Sequence, residues 1–505
     1  MYQAIILGSL LFITLYILKR KREPELTMPP LVSYKFPIIG HTFDFFLNPE
    51  KFLKQCREEY GDIFCLYIWG QVRVFVGIEI ARKEHFGEVY SRDDVFDVLK
   101  AFNKRFPIDV LCPDLLKVSP VAPKTLKDTI FSKLKLYSDR MQKRVYLSTQ
   151  KHFGDCDESK IFYNLFEIVT KIISDPIANI IIGEEESQHE EVLNSFANFI
   201  IDSMIFLTIP PFLDIIYPGL QEYVNRIQIR LGLYNPAVKH RKPLLKHIEK
   251  QVCKRLQEKE KYGDSWKRPD DHLQDLMEEH DPNNISCPYL LDRIYLIIFA
   301  SIHTTAIAIT NVILSLASRP EYMQELYEEQ LKVHKETNVN GIIPFEALSD
   351  MKKLDSFIRE TLRLSVNVAG IDHLVKKDYT FSNGLQIPKN CITSIYIDDV
   401  YRDEPKSFEP FRHLDINVAS KVTKNFLTFG NGKHTCPGRQ LAVNNIKFFM
   451  HNVILKYNFR TVSSKIEESR GTGFTALPVE TSTAGVIFEK RFYAPENFCK
   501  AQIIA

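Results

Sequence analysis

The stretch of this chain most able to do chemistry is Phe429-Gly430-Asn431-Gly432-Lys433-His434-Thr435-Cys436-Pro437-Gly438-Arg439, which runs into an apolar segment from Leu441. Its pattern is F-x-x-G-x-H-x-C-x-G. Glycines at 430, 432 and 438 let backbone pass a flat group at distances where a Cβ would collide. Pro437 lacks an amide hydrogen and suits a first helical position directly after Cys436. A sulfur at a helix N-terminus meets the positive dipole end and free amide donors, which favour thiolate over thiol. A lone cysteine is ordinarily a small buried hydrophobe, but the neighbours of Cys436 point to a metal ligand. A thiolate on haem iron pushes electron density onto the metal and favours O–O cleavage. The segment therefore reads as the thiolate side of a haem site.

Two further constellations precede it. Leu290 to Leu316 is almost uncharged and predicts one long helix, too apolar for a surface position and so central. Ala300 and Thr304 are four apart within it and share one face. His303, between them, has an ordinary pKa of about 6.5 and can either relay protons near neutrality or bond a neighbouring carbonyl as a structural group. Farther on, Glu360 and Arg363 stand three apart in Leu354 to Arg363, on one helix face where they can share a charge-assisted bond.

In this order the pieces resemble a cytochrome P450, a haem-thiolate monooxygenase of the microsomal type, and the resemblance covers nearly the whole chain. Ala300-Ser301-Ile302-His303-Thr304-Thr305 is similar to the family's A-G-x-[D/E]-T-[T/S] box. The resemblance implies that Ala300 leaves room beside the iron and Thr304 directs protons to the distal oxygen, with His303 where an acid is usual. Histidine there is seen among sterol demethylases and filamentous-fungal enzymes, whose motif style this chain shares. Phe408-Glu409-Pro410-Phe411-Arg412 resembles F-x-P-x-R, so Arg412 should join Glu360 and Arg363 in a buried network. By the same resemblance Phe429, Gly430, Gly432, His434 and Gly438 would form the haem-binding loop, His373 would meet a haem propionate, and Val368 and Phe474 would reach the substrate pocket. The usual W-x-x-x-R helix is missing: the tryptophans are Trp69 and Trp266. Lys124, Lys127 and Lys133 are open as substitutes.

The resemblance also sets the expected frame. It implies a mainly α fold with a small β-rich lobe near the N-terminus, as a single catalytic domain binding haem b through Cys436. A lipophilic substrate, terpenoid or sterol before fatty acid, would take one oxygen atom from O2. Electrons would come from NADPH through NADPH–cytochrome P450 reductase, with cytochrome b5 as a second donor, because no G-x-G-x-x-G opens a βαβ unit in this chain. Some haem-thiolate relatives instead isomerise or dehydrate peroxides without a reductase, but they alter the distal threonine and the cysteine loop, both intact here. A non-catalytic haem sensor or electron carrier has no need of a threonine-bearing distal helix.

Other segments must position these residues. The chain has 505 residues and a net charge of +2, which gives no electrostatic case for nucleic acid. Its 35 phenylalanines suit a large core and an apolar pocket, and its nine scattered cysteines form neither a disulfide framework nor a C-x-x-C zinc site. Residues 2–18 are apolar and stop at Lys19-Arg20-Lys21-Arg22. Charge after the run, rather than before it, predicts a retained anchor with its basic side cytosolic. The expected organisation is therefore an anchor and basic stop at 1–22, a Pro-rich hinge at 23–41 and the catalytic domain at 42–505. That makes a single-pass protein of the endoplasmic reticulum membrane, facing the cytosol. Ile63 to Ile68 against Val72 to Val76 predicts a hairpin. Residues 91–126 read as irregular, 195–217 as a core helix and 236–271 as a solvated helical face, while the resemblance implies that 91–126 roofs the substrate pocket and that 195–217 is a pocket lid. Lys421, Lys424, Lys433 and Lys447 read as solvated surface or as a basic face for the reductase.

Overall fold

An all-round apolar helix can only be stable inside something, and Cys287–Ala317 is that helix here. Ser286 caps it, its hydroxyl accepting from the Tyr289 amide at 3.4 Å. The computed structural model describes residues 26–77, 88–117, 126–203, 206, 210–365, 370, 372–397, 407–423, 425–432, 435–467 and 483–491. The expected anchor and Lys124, Val368, Lys424, Lys433, His434 and Phe474 lie outside them. Among the described residues Cys287–Ala317 is the one helix long and apolar enough to cross a membrane, yet 67% of its most apolar window is covered by protein. Helices Leu165–Ile182, Glu190–Ser203, Pro236–Tyr262, Lys352–Leu364 and Arg439–Lys456 pack against it, and Leu134–Phe153 lies behind on Leu165–Ile182. Their apolar faces merge in one large core.

The β lobe draws on both halves of the chain rather than on the N-terminal region alone. Its five strands run in the spatial order Ile63–Ile68, Gln71–Val76, Ile392–Ile395, His373–Val375, Phe96–Asp97. The expected hairpin is present one residue longer, with Ile63 opposite Val76 and Ile68 opposite Gln71. Trp69 (φ 51°) and Gly70 (φ 68°) are both left-handed, the turn whose twist matches paired strands. The described part of the expected hinge does not run free. Pro30 and Val32 pair with Cys65 on this hairpin edge, the Val32 amide donating to the Cys65 carbonyl at 3.0 Å and the Cys65 amide to the Pro30 carbonyl at 2.8 Å. Gly40 (φ 57°) then crosses so close that a Cβ would fall 2.3 Å from the Tyr67 carbonyl oxygen.

Residues expected to be irregular contain the short helices Val98–Arg105 and Ile108–Leu111 and the 3-10 turn Pro113–Leu116. The charged segment expected as a solvated face is partly internal. Within Pro236–Tyr262, Arg241 Nη2 donates to Asp114 at 2.5 Å and its Nη1 pairs with Asp292, while buried His240 meets Asp202 at 2.7 Å. Asp292 is wholly buried on the central helix and also accepts from the Asp114 amide at 2.8 Å. Burial raises its carboxyl above the ordinary range against the pull of Arg241. Arg241 thus ties the roof segment to the central helix. Arg241→Ala should strand the buried Asp292 and cost about 3–5 kcal/mol, whereas exposed Lys242→Ala should stay within about 0.5 kcal/mol. Denaturant midpoints of the two variants check this, and equal midpoints would contradict it.

Candidate active site

Helix Lys352–Leu364 buries charged residues as well as apolar ones: Asp355, Arg359, Glu360 and Arg363 are buried along with Leu354, Phe357, Ile358 and Leu362. The Arg363 guanidinium donates to both Glu360 oxygens at 2.8 Å. Arg412 Nε donates to Glu360 Oε1 at 3.3 Å, the Glu409 amide donates to it at 3.0 Å, and His413 Nε2 lies 3.2 Å from Oε2. The structure thus brings together Glu360, Arg363 and Arg412 and adds His413. Burial alone would raise the Glu360 carboxyl, but Arg363, His413 and the Glu409 amide outweigh it and hold the pKa at about 2. Next to Glu360 in the sequence, Arg359 donates to the Val418 and Lys421 carbonyls at 3.0 and 2.7 Å and covers the Phe426 ring at 3.8 Å. Asp355 accepts from the Ala419 amide at 2.6 Å and pairs with Lys447 at 2.5 Å. Lys447 is therefore spent inside the protein rather than displayed with exposed Lys421.

This helix holds the approach to the cysteine loop. The Cys436 amide donates to the Phe429 carbonyl at 2.7 Å and closes the loop. Gly430 (φ 70°) and Gly432 (φ 54°) make its reversals, and a Cβ on Gly432 would stand 3.0 Å from the Tyr90 carbonyl oxygen. The helix expected to begin at Pro437 begins at Arg439, with Pro437-Gly438 as a turn. The half-buried Cys436 receives the Gly438 and Arg439 amides. Burial raises its thiol above the ordinary value, and those amides and the Arg439 charge oppose the rise. Cys56, Cys65 and Cys391, by contrast, are pushed up to about 12, chiefly by burial.

On the central helix Ala300 is exposed and Thr304 half-buried, flanked by buried Ile298, Ile302 and Thr305. These two make an open face on a core helix. Thr304 Oγ1 donates to the Ala300 carbonyl at 2.8 Å. His303 does not share that face: its ring is buried, edge-on to Phe166 with centroids 4.7 Å apart, and burial lowers its pKa to about 4. One residue along a helix is a rotation of about 100°, which carries His303 into the core, neutral. Of the two expected roles, relay and structural, this placement favours the structural one. Phe299, next to Ala300, stacks into an aromatic cluster with Phe102 (5.2 Å) and Phe106 (4.7 Å), and Phe206 meets Phe106 at 6.3 Å. Sequence reading missed these four, for which the abundance of phenylalanine was the sole signal. His373 is fully buried and edge-on to Tyr90 at 5.5 Å, the residue whose carbonyl Gly432 approaches. Lys133 is spent on Asp275 at 2.7 Å, and Lys127 stays exposed.

A family model described as Cytochrome P450 matches residues 29–483. The chain belongs to the cytochrome P450 family. Cytochrome P450 monooxygenase 71 of Postia placenta is 32% identical over 45% of this chain and 50% of its own, so this P450 spans about half the length of that relative. Monooxygenase 151 of the same fungus is 27% identical over 75% of this chain and 77% of its own. Lanosterol 14-alpha demethylase of Cunninghamella elegans is 24% identical over 93% of each. The solved structure of retinoic acid bound cyanobacterial CYP120A1 covers 92% of this chain and 100% of that one at a TM-score of 0.62 and 20% identity, a likeness of fold. P450s carry haem with an axial cysteine thiolate. The residues fit that group: a half-buried sulfur backed by two amides, in the loop just before a helix that packs against the one bearing the open Ala300–Thr304 face.

The Glu360 network gives the P450 a pH dependence. Its carboxyl is depressed from 4.5 to about 2, so the stabilisation, about 3 kcal/mol, is present above pH 4.5 and is lost as pH falls toward 2. Denaturant midpoints should fall steeply below pH 4.5 in the parent protein. Glu360→Gln should be at least about 3 kcal/mol less stable at pH 7 and show a flatter acid profile. A parent profile as flat as that of the variant would contradict the network.

Proposed function

We propose that this P450 is a monooxygenase that places one oxygen atom from O2 into a lipophilic substrate, with NADPH electrons delivered by a separate reductase. The observation that carries this reading is the open, hydroxyl-bearing face on a buried helix beside a phenylalanine cluster, in the same core as the cysteine loop. Haem held by Cys436 would supply the oxygen activation. The Phe429 carbonyl fixes the cysteine backbone, and the Gly438 and Arg439 amides stabilise negative charge on Sγ. Gly430 and Gly432 let the loop turn, Gly438 leads into the helix, and Phe429 packs on the main core.

Ala300 keeps space open beside Thr304. The Thr304 hydroxyl, while donating to Ala300, retains acceptor lone pairs and can take and pass on a proton at Oγ1. Phe102, Phe106, Phe206 and Phe299 exclude water and offer flat apolar surface to a substrate. A terpenoid or sterol suits that surface best and a fatty acid next; one relative at 24% identity is named a lanosterol 14-alpha demethylase. His373, buried beside Tyr90, is the propionate contact we assign, and Val368 and Phe474 the pocket residues. The electron donor is an NADPH–cytochrome P450 reductase, with cytochrome b5 as a second donor. Residues 1–22 would anchor the chain in the endoplasmic reticulum membrane and 23–41 lead into a catalytic domain at 42–505.

Thr304→Ala removes the hydroxyl while leaving the core intact. With reductase, NADPH and a turned-over lipophilic substrate, it should keep its haem spectrum but send several-fold more electrons to hydrogen peroxide per product. Parallel peroxide and product assays check this. Unchanged coupling would assign the proton to another group, and product formed without NADPH or O2 would overturn the monooxygenase reading.

A further inference from the structure

Away from the haem site, the turn after helix Leu165–Ile182 meets the face of helix Pro236–Tyr262, and two imidazoles and two carboxylates converge there. Glu186 and His189 stand three apart at the 3-10 turn Glu186–Gln188, and His247 comes from the facing helix. One ligand atom from each of Glu186, His189 and His247 lies within 4.8 Å of the other two. The Glu186 side chain is 1% exposed, and its two oxygens are divided. Oε1 accepts from Gln251 Nε2 at 2.8 Å and Lys250 Nζ at 3.0 Å, while Oε2 faces His247 Nδ1 and lies 3.6 Å from His189 Nε2. His247 is divided in the same way: Nδ1 faces Glu186, and Nε2 lies 2.6 Å from Glu191 Oε1.

We propose that Glu186 Oε2, His189 Nε2 and His247 Nδ1 bind one Zn2+, with Glu191 orienting His247 and the fourth position open to water. An imidazole whose far nitrogen donates to a carboxylate has its tautomer and plane fixed for a metal on the near nitrogen, and Glu191 does this for His247. Gln251 and Lys250 fix the carboxylate in the same sense. Two imidazoles and one carboxylate form a donor set that suits zinc. Bonds of about 2.0–2.1 Å at tetrahedral angles place donors roughly 3.3 Å apart, so a separation within 4.8 Å needs only small side-chain rotations. His189 is 46% exposed and gives the ion a way in. Lys246, 3.6 Å from Glu191, and Lys250 offset part of the surrounding acid charge of Glu184, Glu185 and Glu190 without entering the donor set. The bound ion would staple the turn to the long helix behind it.

The test is calorimetric titration of the EDTA-stripped, haem-bound full-length protein with ZnCl2 at pH 7, with haem content recorded as the check on folding. One saturable site per chain is expected. His189→Ala should weaken it at least tenfold, and Glu191→Gln by about 10–100-fold, while Glu190→Gln, an exposed neighbour outside the donor set, should leave it unchanged. No saturable uptake, or uptake unchanged in His189→Ala, would leave a histidine–carboxylate contact only and overturn the site. Equal weakening by Glu190→Gln would also overturn it, by showing diffuse attraction to acid.

Discussion

A carboxylate with no access to water has to be met by donors from the protein, and Glu360 is that constraint here. Its donors come from its own helix and from the 407–413 segment, so satisfying one buried charge fixes the position of chain far away in sequence. Arg359 and Asp355 extend the same clamp along residues 418–421 and onto helix Arg439–Lys456. The loop carrying Cys436 lies between those two anchored stretches. Apolar packing could hold a helix there, but it is non-directional, and a metal-ligating sulfur needs a position as well as a place in the core.

The two sides of the site are built differently for different tasks. The thiolate side is tied by charged and backbone hydrogen bonds and offers the sulfur two amides, yet burial still raises the thiol. Haem iron, when bound, would supply the remaining drive toward thiolate at Cys436. The face we propose as the oxygen side is looser. It consists of a small residue, one hydroxyl and a cluster of phenyl rings, which suits a substrate recognised by shape and burial more than by hydrogen bonds.

What could be read from the sequence was whatever is local. The F-x-x-G-x-H-x-C-x-G loop, the Glu360–Arg363 spacing and the uninterrupted apolar run of the central helix each express their structure within a few turns of chain. What could not be read depends on partners distant in sequence. His413 and Arg359 belong to the clamp only because other segments arrive beside them. Arg241 and Lys447 look like surface charges until Asp292 and Asp355 are seen buried opposite them. His303 shows a subtler limit, since its neighbour Thr304 lies on the open face while its own ring turns into the core. The Glu186–His189 spacing carried no meaning before His247 stood across from it.

The central claim is that Cys436 ligates haem iron as a thiolate, and the carbon monoxide difference spectrum of the reduced protein tests it most directly. The parent protein should give the strongly red-shifted Soret band of a thiolate-ligated haem, and Cys436→Ala should lose it while the fold persists by circular dichroism. A red-shifted band that survives in Cys436→Ala, or a parent band at the position of histidine-ligated haem, would contradict the account.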